Sequence, residues 1–139
     1  MITRLSGALF ICMVVFGGQS CNKDKVILEE TNILPGAWQW LRTDGGIADH
    51  IHETPINTGK SVKIELGSGN EYIIRTNGDI TEQGTYALSE RTCMHDHTQK
   101  IFIQFSHGGG WMVEKMESNL LYLSDEYADG VMKTFRKVK

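Results

Sequence analysis

The sequence predicts an all-β protein, an up-and-down antiparallel barrel of about eight strands. Three observations carry that reading. Short segments of period-two alternation recur along residues 34–139 at near-even spacing, as in small barrels and sandwiches. Turn residues, Asn77-Gly78 foremost, separate them. No stretch sustains the apolar spacing of a long amphipathic helix. Closure is favoured over an open sheet because it removes exposed edges.

The first expected strand, 38–42, is aromatic, with Trp38 and Trp40 on one face. The second, 61–66, alternates Val62, Ile64 and Leu66 with Lys63 and Glu65, the pattern of a half-buried strand. The third, 71–76, points Tyr72 and Ile74 inward, and Asn77-Gly78 then supplies two residues that tolerate positive φ. The fourth, 80–88, turns Tyr86 and Leu88 inward, with Gly84 as a bulge or bend. Ile101, Ile103 and Phe105 line the inner face of 100–105, and Val113 that of 111–116. Residues 117–119 turn into 120–123, bearing Leu121 and Leu123, and Asp129-Gly130 turns into 131–138, bearing Phe135. Between the first two strands lies a loop with Gly45-Gly46 and Thr54-Pro55, long enough to be functional.

Length and charge narrow the options. The chain has 139 residues, which suits one domain with a single core, and 14 Lys and Arg stand against 17 Asp and Glu. A net charge of −3 argues against a nucleic-acid partner and against a polybasic grip on anionic lipid.

The N-terminus carries an address. Arg4 is followed by an apolar run over 5–16 and then Gly17-Gly18-Gln19-Ser20-Cys21, the layout of a secretory signal peptide. The cysteine after the small residues resembles the lipobox of bacterial lipoproteins, although Gly18 stands where that motif carries an aliphatic residue. The resemblance implies a signal peptide over 1–20, a lipid on Cys21 and a charged tether through residue 33. It implies a bilayer partner reached through Cys21 and a place in the cell envelope, at the outer membrane. Ordinary export is the alternative, since Gly18-x-Ser20 also fits a small-x-small cut site. An uncleaved anchor is disfavoured because the run falls short of the roughly 20 residues a span needs. Cys12 leaves with the signal peptide, so Cys93 is expected unpaired and the fold must stand on packing.

Within the barrel, Gly36-Ala37-Trp38 opening the first strand and Thr134-Phe135-Arg136 in the last resemble lipocalin-like, calycin-type barrels. Gly84-Thr85-Tyr86 and Leu121-Tyr122-Leu123 fit the same pattern. The resemblance implies non-catalytic binding of a small apolar ligand near Trp40, Tyr72 and Phe105, under the long loop. It also implies that Arg136 stacks on Trp38 at the closing seam, a contact worth about 0.5–2 kcal/mol. The alternative is a barrel filled by its own side chains, serving as an interaction module of the envelope. Eight-stranded barrels take either form.

Four histidines come as His50-Ile51-His52 and His95-Asp96-His97, and Cys93 precedes the second pair. On an extended segment Cys93, His95 and His97 would share a face and suit a metal. The favoured reading has no metal: alternating loops should put the two histidine pairs at opposite ends, where they act as polar loop residues. No Gly-x-Ser-x-Gly elbow accompanies His107-Gly108-Gly109-Gly110, so that segment reads as a flexible loop. The expectation is a binding protein without cofactor, not an enzyme.

Overall fold

Residues 31–139 are described by the structure, a computed structural model. The expected signal peptide, Cys21 and most of the tether lie outside the described residues. Nine strands follow one another: β1 (Gly36–Gly45), β2 (Ile51–Glu53), β3 (Val62–Leu66), β4 (Glu71–Thr76), β5 (Asp79–Thr92), β6 (Gln99–Phe105), β7 (Gly110–Glu117), β8 (Leu120–Ser124) and β9 (Val131–Val138). From β3 onward each pairs antiparallel with the next, β3 also pairs with β1, and β1 pairs with β9 along its length. The result is a closed eight-stranded antiparallel barrel of calycin-like form. The three-residue β2 adds to the far end of β1, with Thr43 opposite Glu53 and Gly45 opposite Ile51.

All eight expected strands are observed, the second starting at Val62 instead of Ser61. Asn77 and Gly78 turn with φ of 54° and 94°, as a hairpin of this twist requires. β5 runs to Thr92, beyond the expected end, because its first half pairs with β4 and its second half with β6. Its bulge is at Thr81, not Gly84: Ile74 faces Glu82 while Arg75 faces Ile80. Gly84 answers a different need, since an added Cβ would stand 2.3 Å from the Ser106 hydroxyl. A second irregularity, at Leu41, turns Arg42 outward and Thr43 inward, where its hydroxyl accepts from Trp40 Nε1 at 3.0 Å.

The loop between β1 and β3 is more structured than its composition suggested. Besides β2 it holds a one-turn helix, α1 (Pro55–Thr58). Thr54 caps it: its hydroxyl accepts from Asn57 N, while Asn57 Oδ1 accepts from Thr54 N at 2.7 Å.

Register sorts the connections into two ends. Residues 46–61, 77–78, 106–109 and 125–130 gather at one; residues 67–70, 93–98, 118–119 and the entry into β1 belong to the other. The entry end is packed solid. Leu34, Trp38, Leu66, Tyr86 and Leu121 are buried there, Trp38 Nε1 donates to the Leu34 carbonyl at 2.8 Å, and the Tyr86 hydroxyl donates to Gly67 O at 2.8 Å.

The expected Trp38–Arg136 stack does not form. Arg136 is registered with Gln39 on the outer face and is exposed, while Trp38 points inward opposite Lys137. Alternation puts Arg136 on the face opposite to Phe135, and only a residue of Phe135's parity can reach Trp38. Lys137 takes that place, its Nζ 5.1 Å from the Trp38 ring centre. The same ammonium donates to the Ile33 carbonyl at 2.6 Å, docking the helical residues 31–33 against the barrel.

Candidate functional site: a cavity at the open end of the barrel

The interior is filled at one end and hollow at the other. Above Trp40, Phe105 and Phe135 a cavity of about 400 Å³ opens toward the end that carries residues 46–61 and 106–109. Ile64 from β3, Ile74 from β4 and Trp111 from β7 complete its apolar wall. Glu53, Lys60, Glu82, His107 and Lys133 supply the polar atoms around it. Convergent apolar walls with a few polar groups are the usual make-up of a small-molecule pocket, and the volume lies within the usual range of about 300–1,000 Å³.

Of the three residues expected to hold a ligand, Trp40 and Phe105 line the cavity. Tyr72 lies beneath it. Its ring packs on Phe105 with centroids 4.6 Å apart, and its hydroxyl donates to Glu82 Oε1 at 2.5 Å. Burial, aided by the Glu82 carboxylate, pushes the Tyr72 phenol above its ordinary range. Tyr72 therefore braces the floor and occupies Glu82.

Trp111 and Lys133 were not anticipated. Parity was the available signal, since Trp111 shares a face with Val113 and Lys133 with Phe135. Lys133 was hidden by its type, because a lysine between Met132 and Thr134 reads as solvated. In the structure its Nζ stands 3.9 Å from the centre of the Trp111 ring. Burial holds the ammonium's pKa below its ordinary value, partly offset at a distance by Asp125 and Glu53.

A second cluster lies on the outer wall. Residues 93–98 fold back over β6 and β7, burying Cys93 with Phe102 and Met112, and the Arg91 guanidinium lies 3.6 Å over the Phe102 ring. Cys93, Glu114 and Glu126 converge there, their ligating atoms all within 4.8 Å of one another. Lys100 Nζ bonds Glu114 Oε2 and reaches Asp96 Oδ2 at 2.7 Å. Ser124 Oγ donates to Glu114 Oε1 at 2.5 Å, and Met94 N donates to Glu126 Oε2 at 3.3 Å. Burial works to raise the Glu114 carboxyl, but Lys100 and Ser124 outweigh it and hold it below the usual range. Burial also pushes the Cys93 thiol up, away from the thiolate a metal would need. With Lys100 already on Glu114, the cluster works as an ion-pair latch that pins the loop.

The Cys93-x-His95-x-His97 triplet does not converge. The segment is a turn, with Cys93 N bonded to Thr98 O at 2.8 Å and His97 N to Cys93 O at 2.9 Å, so the shared face of an extended strand is lost. His95 and His97 are exposed. Nor does topology keep the histidine pairs fully apart. His52, 3.1 Å from Asp44 Oδ1, and His95 both line an outer groove beside Arg42, Glu114 and Thr134, because the 93–98 loop folds along the wall instead of projecting from the far end.

Among the described residues no helix is long and apolar enough to cross a membrane. Compared with protein-family models, with curated proteins and with solved structures, the chain matches none.

Proposed function

We propose that the chain is a lipocalin-like envelope lipoprotein whose barrel holds a small apolar ligand without transforming it. The observation that carries this reading is the hollow half of the barrel, walled by Trp40, Ile64, Ile74, Phe105 and Phe135. A packed barrel would have continued its core to the rim. The signal-peptide pattern and Cys21 support the envelope address and the lipid anchor, and the mass of the mature protein tests both. The chain enters the barrel at the end away from the cavity, so an anchor on Cys21 leaves the mouth open to the surroundings.

The test is titration with N-phenyl-1-naphthylamine, a neutral apolar fluorophore. Saturable one-to-one binding that disappears in Ile74→Trp, with the melting transition retained, supports the reading. Binding that the filled cavity leaves unchanged contradicts it.

One observation favours the interaction module as a second reading. At the same open end Ile56 is 97% exposed, Ile47 68% and Ile80 50%. Exposed large apolar side chains at one end of a barrel suit a contact surface. Cross-linking that depends on Ile47 and Ile56, in a chain that binds no small molecule, favours it over the first.

A further inference from the structure

The cavity's one inward-facing ammonium gives it a chemical preference. Lys133 lies on β9 two residues before Phe135, with Thr43 opposite it on β1 and Leu123 opposite it on β8. All of these share the inner face. Among the described residues its Nζ makes no hydrogen bond and no ion pair, and it stands over the Trp111 face. Taking a cation partly out of water without an anionic partner is costly.

The anions nearby do not serve it. Asp125 acts on it only at a distance, its Oδ1 accepting from Val131 N at 2.7 Å; Glu82 is held by the Tyr72 hydroxyl, and Glu53 is exposed at the rim. Lys60 and His107, also at the rim, are exposed and add no anion. β9 runs from the open end toward the packed end, so Lys133 is nearer the mouth than Phe135. Beyond it the wall is apolar except for Glu82, whose carboxylate the Tyr72 hydroxyl engages. A molecule with an acidic head and an apolar body would meet the ammonium with its head and Ile64, Phe105 and Phe135 with its body.

We infer that the cavity takes an anionic amphiphile, a carboxylate head against Lys133 and an apolar chain directed toward Phe105 and Phe135. This rests on the reading of the hollow half as a ligand site. A cationic amphiphile of the same length would bring like charge to Lys133. A neutral one would fill the wall and leave the ammonium alone.

Three ten-carbon probes with different heads decide the matter: decanoate, 1-decanol and decyltrimethylammonium, each titrated calorimetrically into the purified chain below its micelle concentration. Decanoate is expected to bind about tenfold more tightly than 1-decanol, as a charge-assisted hydrogen bond provides, with decyltrimethylammonium weakest. In Lys133→Met the decanoate advantage should shrink to about twofold or less, while 1-decanol binds at least as well as before. Lys133→Arg should keep most of the advantage. Equal binding of decanoate and 1-decanol, or an advantage that survives Lys133→Met, overturns the headgroup assignment and leaves the ligand site standing. Failure of all three probes overturns the site and this inference with it.

Discussion

Lys137 Nζ stands 5.1 Å from the centre of the Trp38 ring, and these two residues face each other across the β1–β9 pairing that closes the barrel. The ammonium also holds the Ile33 carbonyl at 2.6 Å, while Trp38 Nε1 holds the Leu34 carbonyl at 2.8 Å. One seam thus closes the sheet, plugs the entry end and docks the chain that leads into it. Closing that end confines the hollow to the other.

The seam predicts which residues matter to stability. Trp38→Phe removes the donor to a buried carbonyl and should cost about 1–3 kcal/mol. Arg136→Ala, on the outer face, should stay within about 0.5 kcal/mol of wild type. Urea denaturation measures both, and a larger cost at Arg136 than at Trp38 would contradict this account of the closure.

Lys133 predicts a pH dependence on the alkaline side. Its pKa in the folded barrel lies below the ordinary 10.5, so between the two values the unfolded chain binds more protons and stability rises with pH. Asp125 and Glu53 act against the shift without cancelling it. Thermal melts between about pH 8 and 10 should show wild type gaining on Lys133→Met as pH rises. Parallel melting curves for the two proteins would contradict the placement of this ammonium.

The outer latch predicts the opposite behaviour in acid. Glu114 and Asp96 are both held below the usual carboxylate range. The stability they contribute is present above their unfolded pKa values and is lost as pH falls through the folded ones. From about pH 6 to 3 wild type should lose stability faster than Glu114→Gln. Cys93, buried beneath the latch, should react with a maleimide faster in Lys100→Met than in wild type. An unchanged rate would show that Lys100 does not hold the loop down.

Gly45 fixes the rim. Its φ is +126°, and an added Cβ would stand 2.5 Å from the carbonyl oxygen of Gly130, which is backbone and cannot swing aside. Gly45→Ala should therefore cost about 1–3 kcal/mol through strain and displace the β1–β9 register at the mouth. Amide exchange faster at Thr43 and Val131 than at Ala37 and Val138 would locate the damage. Uniform exchange along the seam would argue against it.

The strands were legible because alternation is a local property and each inward residue announces itself by type. Ile64, Phe105 and Phe135 are apolar among polar neighbours, and each lies inside. The departures came from irregularities that alternation does not mark. Leu41 and Thr81 shift register without a glycine to signal it, and β2 and α1 hide in a loop of mixed composition. At the site, Trp40 and Phe105 were legible as inward aromatics. Trp111 and Lys133 were missed for separate reasons. Trp111 directly follows three glycines at the start of its strand, and Lys133 is an inward residue of outward type. Whether eight strands enclose a filled or hollow interior depends on how side-chain volumes add in three dimensions, which no local pattern reports. The metal triplet misled because spacing has meaning only on an extended segment, and residues 93–98 are turned.

The central claim is that the hollow half of the barrel is occupied in the cell. Native mass spectrometry of the chain purified without detergent exchange, beside Ile74→Trp prepared identically, tests it most directly. The account predicts an added mass of one small, largely apolar molecule, released by gentle activation and missing from the tryptophan variant. A bare polypeptide mass in both proteins, with no uptake of added 1-decanol by wild type, would contradict it.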